Sequence, residues 1–404
     1  MQQSELHKTG LISHVLEGEA DFSLVLGGPL YQLYLRTRLA RPDLELVVRR
    51  VIGMSLICWL PSLLLALFTG HVFGGVSVPF LVDLDVHIRF LGALPLLIGA
   101  ELFVHRRIRI LVQQFLEREI IAIEDRVRFE ELISSAMRLR NSALVEALLL
   151  LFAFGAGHWV WREYLTLGVN TWYAVKIGEE THLTAAGYWY AFVSLPLLRF
   201  IVVRWYFRLF IWYWFLWHVR RIPLHLNLFH PDRAGGLGFL ASSGFAFAPV
   251  LVAHTVLLAG VIGNRIWHAG ATLPSFKLEI VGGVAFLILL VLTPLSFFIV
   301  QLDEAGRMAR REYGVLASHY VDDFRRKWIQ EHEADREPLL GTSDIQSLAD
   351  LGNAYSVASE MRLLPFSHDT VIRLAIIIIL PLLPLTLTMI PLDQIVDRLI
   401  KLVL

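Results

Sequence analysis

The chain has 404 residues, 56% of them apolar and 18% charged, with a mean hydropathy of +0.58. A soluble domain carries about a quarter charged residues, so this composition excludes an ordinary water-soluble protein. The 36 basic and 36 acidic residues cancel, which argues against general nucleic-acid binding, and the single cysteine, Cys58, rules out an intramolecular disulfide or a cysteine-based metal cluster.

Residues 1–50 form an N-terminal cytoplasmic or interfacial segment. They lack the basic start and apolar core of a cleaved signal peptide. Within them Leu30–Val48, with Tyr31, Tyr34, Arg36, Arg38 and Arg41, reads as an amphipathic interfacial helix opened by Pro29. Apolar runs long enough to cross a bilayer follow at Val51–Thr69, Ile88–His105, Ala143–Trp161, Gly187–Tyr206, Phe245–Ile266, Ile280–Val300 and Val371–Ile390. The connecting stretches alternate in Lys and Arg: 25 fall on one side of the resulting topology and five on the other. The positive-inside rule then puts the N-terminus in the cytoplasm and the C-terminus outside. The predicted fold is an all-α polytopic membrane bundle of about seven spans with long helical cytoplasmic extensions.

Those extensions are read from periodicity. Residues 100–154 contain no Gly or Pro, so the second and third spans are expected to extend into the cytosol as a hairpin over 106–142, turning near Glu117–Arg126. Ile120, Ile121, Val127, Leu132, Ile133, Ala136 and Met137 give it an apolar seam. After the sixth span (spans one to six occupy 51–302), residues 303–370 form a cytoplasmic helical region. Its stripe of Tyr313, Leu316, Tyr320, Phe324 and Trp328 is flanked by arginines that suit packing or an anionic lipid. Residues 371–404 hold the last span and an external amphipathic tail. No internal repeat is apparent.

Ionisable groups inside a membrane are costly and mark functional candidates. Glu101, His105 and Glu146 fall at one depth near the cytoplasmic surface, where they can neutralise Arg199 or form an ion site. Arg204 and Arg208 read as snorkelling to the interface, on an aromatic run that continues the fourth span along the membrane surface. His254 sits mid-span as a candidate gate or relay. Pro381 and Pro384 kink the last span beside Thr386 and Thr388, as in a pore-lining helix. Outside, His158, Arg162, Glu163, Asp83, Asp85, Glu179 and Glu180 suggest an acidic mouth. In the cytoplasmic string around His230, Asp232, Arg233, Gly235 and Gly236, the proline and glycines make a turn, with amides able to hold an anion or small ligand. The string has neither a nucleotide fingerprint nor a Walker lysine, and no catalytic residue, metal site or cofactor is expected anywhere.

These features favour a homo-oligomeric ion channel gated from the cytoplasm and lodged in a bacterial inner membrane. The alternatives are a secondary transporter using the intramembrane Arg, Glu and His, an interfacial enzyme at the His230 turn, and a membrane sensor or scaffold.

Overall fold

The computed structural model describes residues 22–37, 46–155, 170–177, 180–330 and 342–389. Within them the chain is nearly all helical. In chain order it forms α1 (Pro29–Arg36), α2 (Val47–Phe68), α3 (Leu84–Glu117), α4 (Arg126–Arg140), α5 (Ala143–Phe154), the antiparallel pair β1 (Ala174–Ile177) and β2 (Glu180–Leu183), α6 (Ala185–Val219), α7 (Leu237–Ala269), α8 (Leu273–Gln330), α9 (Ser343–Ser359) and α10 (His368–Met389). Six of these, α2, α3, α6, α7, α8 and α10, are long and apolar enough to cross a membrane. Their outward surfaces are apolar too: Ile52, Leu56, Ile57, Leu64 and Phe68 of α2 are all exposed. A helix that is apolar all round is built for lipid, because a bilayer leaves backbone groups no partner outside the helix itself. The protein is a multi-pass membrane protein.

Contacts distinguish the two ends of the bundle. At one, Trp172 donates to Asp83 (2.8 Å), the Ser77 amide donates to the Asn170 carbonyl, and His268 bonds the Val82 carbonyl. At the other, the turn after α3 meets the turn after α6, where the His225 amide donates to Ile120, and the Arg362 amide donates to Arg233. Glu101 of α3 lies toward this second end. α3 and α6 therefore run in the same direction, from the Asp83 end to the Glu101 end.

These two helices also share a plan that sequence inspection misses. Each opens on a side-chain cap, Asp83 or Thr184, then passes through a π-helical stretch, 88–93 in α3 and 190–194 in α6. Each then meets the same tetrapeptide, Leu94-Pro95-Leu96-Leu97 and Leu195-Pro196-Leu197-Leu198. A proline inside a helix has no N–H to donate and crowds the carbonyl four residues back, and a wider turn before it relieves that crowding. The two π stretches meet through the Phe90 and Tyr190 rings.

Several expectations change in detail. The hairpin turn falls where predicted, with Glu119 in the left-handed region at φ 53°. Its second arm is interrupted, however. Ser142 caps a new helix, α5, after a break at Asn141. Phe129, Ile133 and Ala136 form the buried seam while Val127 points outward. The third expected span is described only as far as Gly155. The aromatic run of α6 does not lie along a surface: Trp205, Trp212, Phe215 and Leu216 are fully buried. Phe129 of α4 covers Phe215, so the helices of the hairpin pack over this stretch and bury it. Beyond the bundle, α8 pairs with α9 through Tyr320, Lys327 and Trp328, all bonded to Asp344.

Candidate functional site

Five parts of the chain converge on one buried ionic group at the Glu101 end. Arg50 enters from the first turn of α2, Glu101 from α3, Glu146 from α5, and Arg204 and Arg208 from successive turns of α6. Residues separated by four lie on one helix face, so both α6 guanidiniums point the same way. Glu101 Oε2 accepts from Arg50 at 2.7 Å, and Oε1 accepts from Arg208 at 2.7 Å and Arg204 at 3.4 Å. Arg204 also lies 3.6 Å from Glu146. The N-terminal segment closes the group from the side: the Leu30 amide donates to Glu146 at 3.1 Å, and Arg204 donates to the Gly27 carbonyl at 3.4 Å. Gly27 has φ 140°, and a β-carbon there would collide with Arg140 and Asn141.

The balance of charge is uneven. Among the described residues, three arginines (50, 204 and 208) face two carboxylates (101 and 146), a surplus of one positive charge. Arg140 stands just behind, donating to the Ser23 carbonyl at 2.6 Å. Its own burial and repulsion from Arg208 and Arg204 pull it down to about 10. Arg50 is 1% exposed, and among the described residues its Nε and Nη2 have no hydrogen-bond partner. The Tyr34 ring lies 5.5 Å from that guanidinium, and burial pushes the phenol up to about 12, keeping it neutral. Burying charge costs several kcal/mol per ion unless it is paired. A cluster with surplus cation at this depth is therefore poised to take an anion.

The other predicted residues are distributed as follows. His105, one turn beyond Glu101, is buried beside the cluster. Arg199 does not join it. Its electrostatic neighbours are Tyr190 and Arg89, and among the described residues its Nη1 is buried without a hydrogen bond. The carboxylates expected to neutralise Arg199 are instead held by Arg50, Arg204 and Arg208. Arg204 and Arg208 are buried rather than snorkelling, and Arg208 stacks over Trp205 at 4.4 Å. His254 bonds the Val250 carbonyl at 2.7 Å and meets the edge of Tyr206. Thr386 and Thr388 are exposed, each donating back to its own helix at 2.6 Å.

In the Gly-rich turn Asp232 takes the amides itself: Oδ1 accepts from Ala234 and Gly236, and Oδ2 from Gly238. His230 Nδ1 lies 2.9 Å from the same carboxylate, and Arg233 pairs with Glu360. Gly235 and Gly236 both have positive φ, and Ile120 closes over Gly236. The donors read as an anion nest are thus occupied by the turn's own side chain.

At the Asp83 end the expected acidic mouth is partly consumed internally. Asp83 is buried under Trp172, and burial raises its carboxyl above the ordinary range. Asp85 pairs with Arg89 at 2.6 Å. His158, Arg162, Glu163 and Glu179 lie outside the described residues, as does the side chain of Glu180. Sequence reasoning missed Arg50, which it counted only among the basic residues preceding the first span. The i, i+4 pairing of Arg204 with Arg208, at the depth of Glu101, was the signal available for the cluster.

Compared with known proteins, the chain matches no family model, no curated protein and no solved structure.

Proposed function

We propose that this protein passes a small anion across the membrane, as a channel assembled from several copies and gated from the cytoplasmic side. The observation that carries this reading is the surplus of buried arginine around Glu101. A fixed positive charge in a low-dielectric setting attracts anions far more strongly than the same charge in water. Gating from the cytoplasm is supported by the cover over the cluster. Gly27 and Leu30 bind its arginine and carboxylate directly, so displacing the N-terminal segment exposes charge. Assembly is supported by Val315, Leu316 and Val321, exposed apolar residues on the part of α8 that runs beyond the bundle. The proposal includes seven crossings, the N-terminus inside, and residence in a bacterial inner membrane.

The test is flux in reconstituted liposomes. Anion efflux driven only by its own gradient is expected, with cations excluded. Arg204→Gln should lower the anion preference about tenfold, the effect of losing one well-placed charge of about 1.4 kcal/mol. Cation flux of equal size, or strict dependence on a proton or sodium gradient, would overturn the channel reading; the latter points to coupled transport.

A further inference from the structure

A cleft of about 520 Å³ lies where α6 ends, between the turn at 220–228 and the α8 turn at 301–308. Its chemistry is two-sided. Arg220 and Arg221 form one wall with Gln301 and Glu304, while Ile222, Pro223, Leu224, Leu226, Ala305 and Met308 line the rest. Both guanidiniums lie over the Trp217 ring, at 3.4 and 5.8 Å from its centroid. Among the described residues neither is paired with a carboxylate, so the indole positions them while their N–H donors stay available. Gln301 donates its amide to the Arg220 carbonyl at 2.6 Å, and its Oε1 is buried with no donor among the described residues. Next to the cleft on α8, Ile299 and Val300 turn apolar side chains outward, continuing the lipid-facing surface of the bundle.

We infer that this cleft is a binding site for one phospholipid with an anionic, hydroxyl-bearing headgroup, of the phosphatidylglycerol type. Arg220 and Arg221 hold the phosphate, a headgroup hydroxyl donates to Gln301 Oε1, and the upper acyl chain follows Ile299 and Val300 into the bilayer. Tryptophan and arginine together at the membrane edge suit this arrangement, since the ring anchors at headgroup depth and each cation near the surface strengthens attraction to anionic lipid. The apolar lining separates this site from one for free phosphate, which needs no such wall. It is also separate from the Glu101 cluster and does not depend on what the protein transports.

The experiment uses the full chain in nanodiscs of phosphatidylcholine containing a minority of phosphatidylglycerol, with native mass spectrometry to count lipids retained after release. The wild-type chain should retain phosphatidylglycerol selectively. Retention should fall roughly thirtyfold in the Arg220→Gln/Arg221→Gln double variant, the combined effect of two surface cations. It should persist in Arg265→Gln/Lys277→Gln, which removes two cations from the opposite end. Met308→Trp fills the cleft but keeps both arginines, so it tests the site even if the double variant folds poorly, and it too should lose the lipid. Unchanged retention in either cleft variant, or equal loss in the opposite-end control, overturns the proposal. So does displacement of the lipid by sn-glycerol 3-phosphate at matched concentration, which would show that the apolar wall contributes nothing.

Discussion

Glu101 is surrounded by more positive charge than it can neutralise, and this makes the cluster asymmetric toward substitution. Glu101→Gln removes the one group that touches Arg50, Arg204 and Arg208 together, raising the local surplus from one positive charge to two. Breaking a buried pair by deleting one partner typically costs about 3–5 kcal/mol, because the other charge is stranded. Arg204→Gln does the reverse: three arginines against two carboxylates become two against two. Glu146 keeps the Leu30 amide as a donor, and Glu101 keeps its two 2.7 Å partners. Thermal unfolding in detergent should therefore place Glu101→Gln far below the wild type and Arg204→Gln near it. If Arg204→Gln proves the more damaging, the cluster has no surplus charge and the anion reading loses its basis.

At the scale of elements, the α8–α9 pair packs along its length, with Ala309 and Ala358 fully buried, and is fastened near the start of α9 by polar contacts. Asp344 Oδ2 accepts from Lys327 at 2.9 Å and from Trp328 at 3.0 Å, and its carbonyl accepts from Tyr320. The hydrogen bonds from Lys327 and Trp328 lower the Asp344 pKa. A carboxyl depressed by its partners stabilises the paired form above its free pKa of about 3.9 and loses that contribution as pH falls below it. Spin labels at Ser318 and Asn353 should thus keep a fixed separation from neutrality to about pH 4 and move apart below it, while Asp344→Asn should lengthen it at neutral pH. A separation indifferent to both acid and the substitution would remove Asp344 from the contact. The helix of this stripe was legible in sequence because Tyr320, Phe324 and Trp328 recur at helical spacing, but its pairing with α9 was not. The π-helical stretches of α3 and α6 were not, since Pro95 and Pro196 read equally well as kinks, bulges or helix starts. Arg50 was hidden for a related reason. Periodicity shows which residues share a face of one helix, but only packing brings a residue of α2 against Glu101 of α3 and the arginines of α6.

The path of the whole chain turns on the passage from α5 to β1. Glu146 in α5 sits with Arg204 at the Glu101 end, whereas Trp172 sits with Asp83 at the other. Glu101 follows Asp85 by 16 residues along α3, roughly 24 Å at 1.5 Å per residue. The 24 residues from Glu146 to Asn170 have ample length to cover that distance, since a helix of that size spans about 36 Å. The proposed seven crossings therefore require one passage between these two points, in addition to those of the six long helices. Cys58 is fully buried, so single reporter cysteines can be read against a silent background. Glu119→Cys and Arg311→Cys, both exposed at the Glu101 end, should react with a membrane-impermeant maleimide only after the cytoplasmic side is opened. His182→Cys and Ser275→Cys, exposed near the Asp83 end, should react in intact cells. The decisive comparison is 119 against 182. Labelling from opposite faces requires a crossing between α5 and β1, and with it seven passages and an external C-terminus. Labelling from the same face would leave six, return the C-terminus to the cytoplasm, and place the arginine surplus on a different face from the one the basic loops assign.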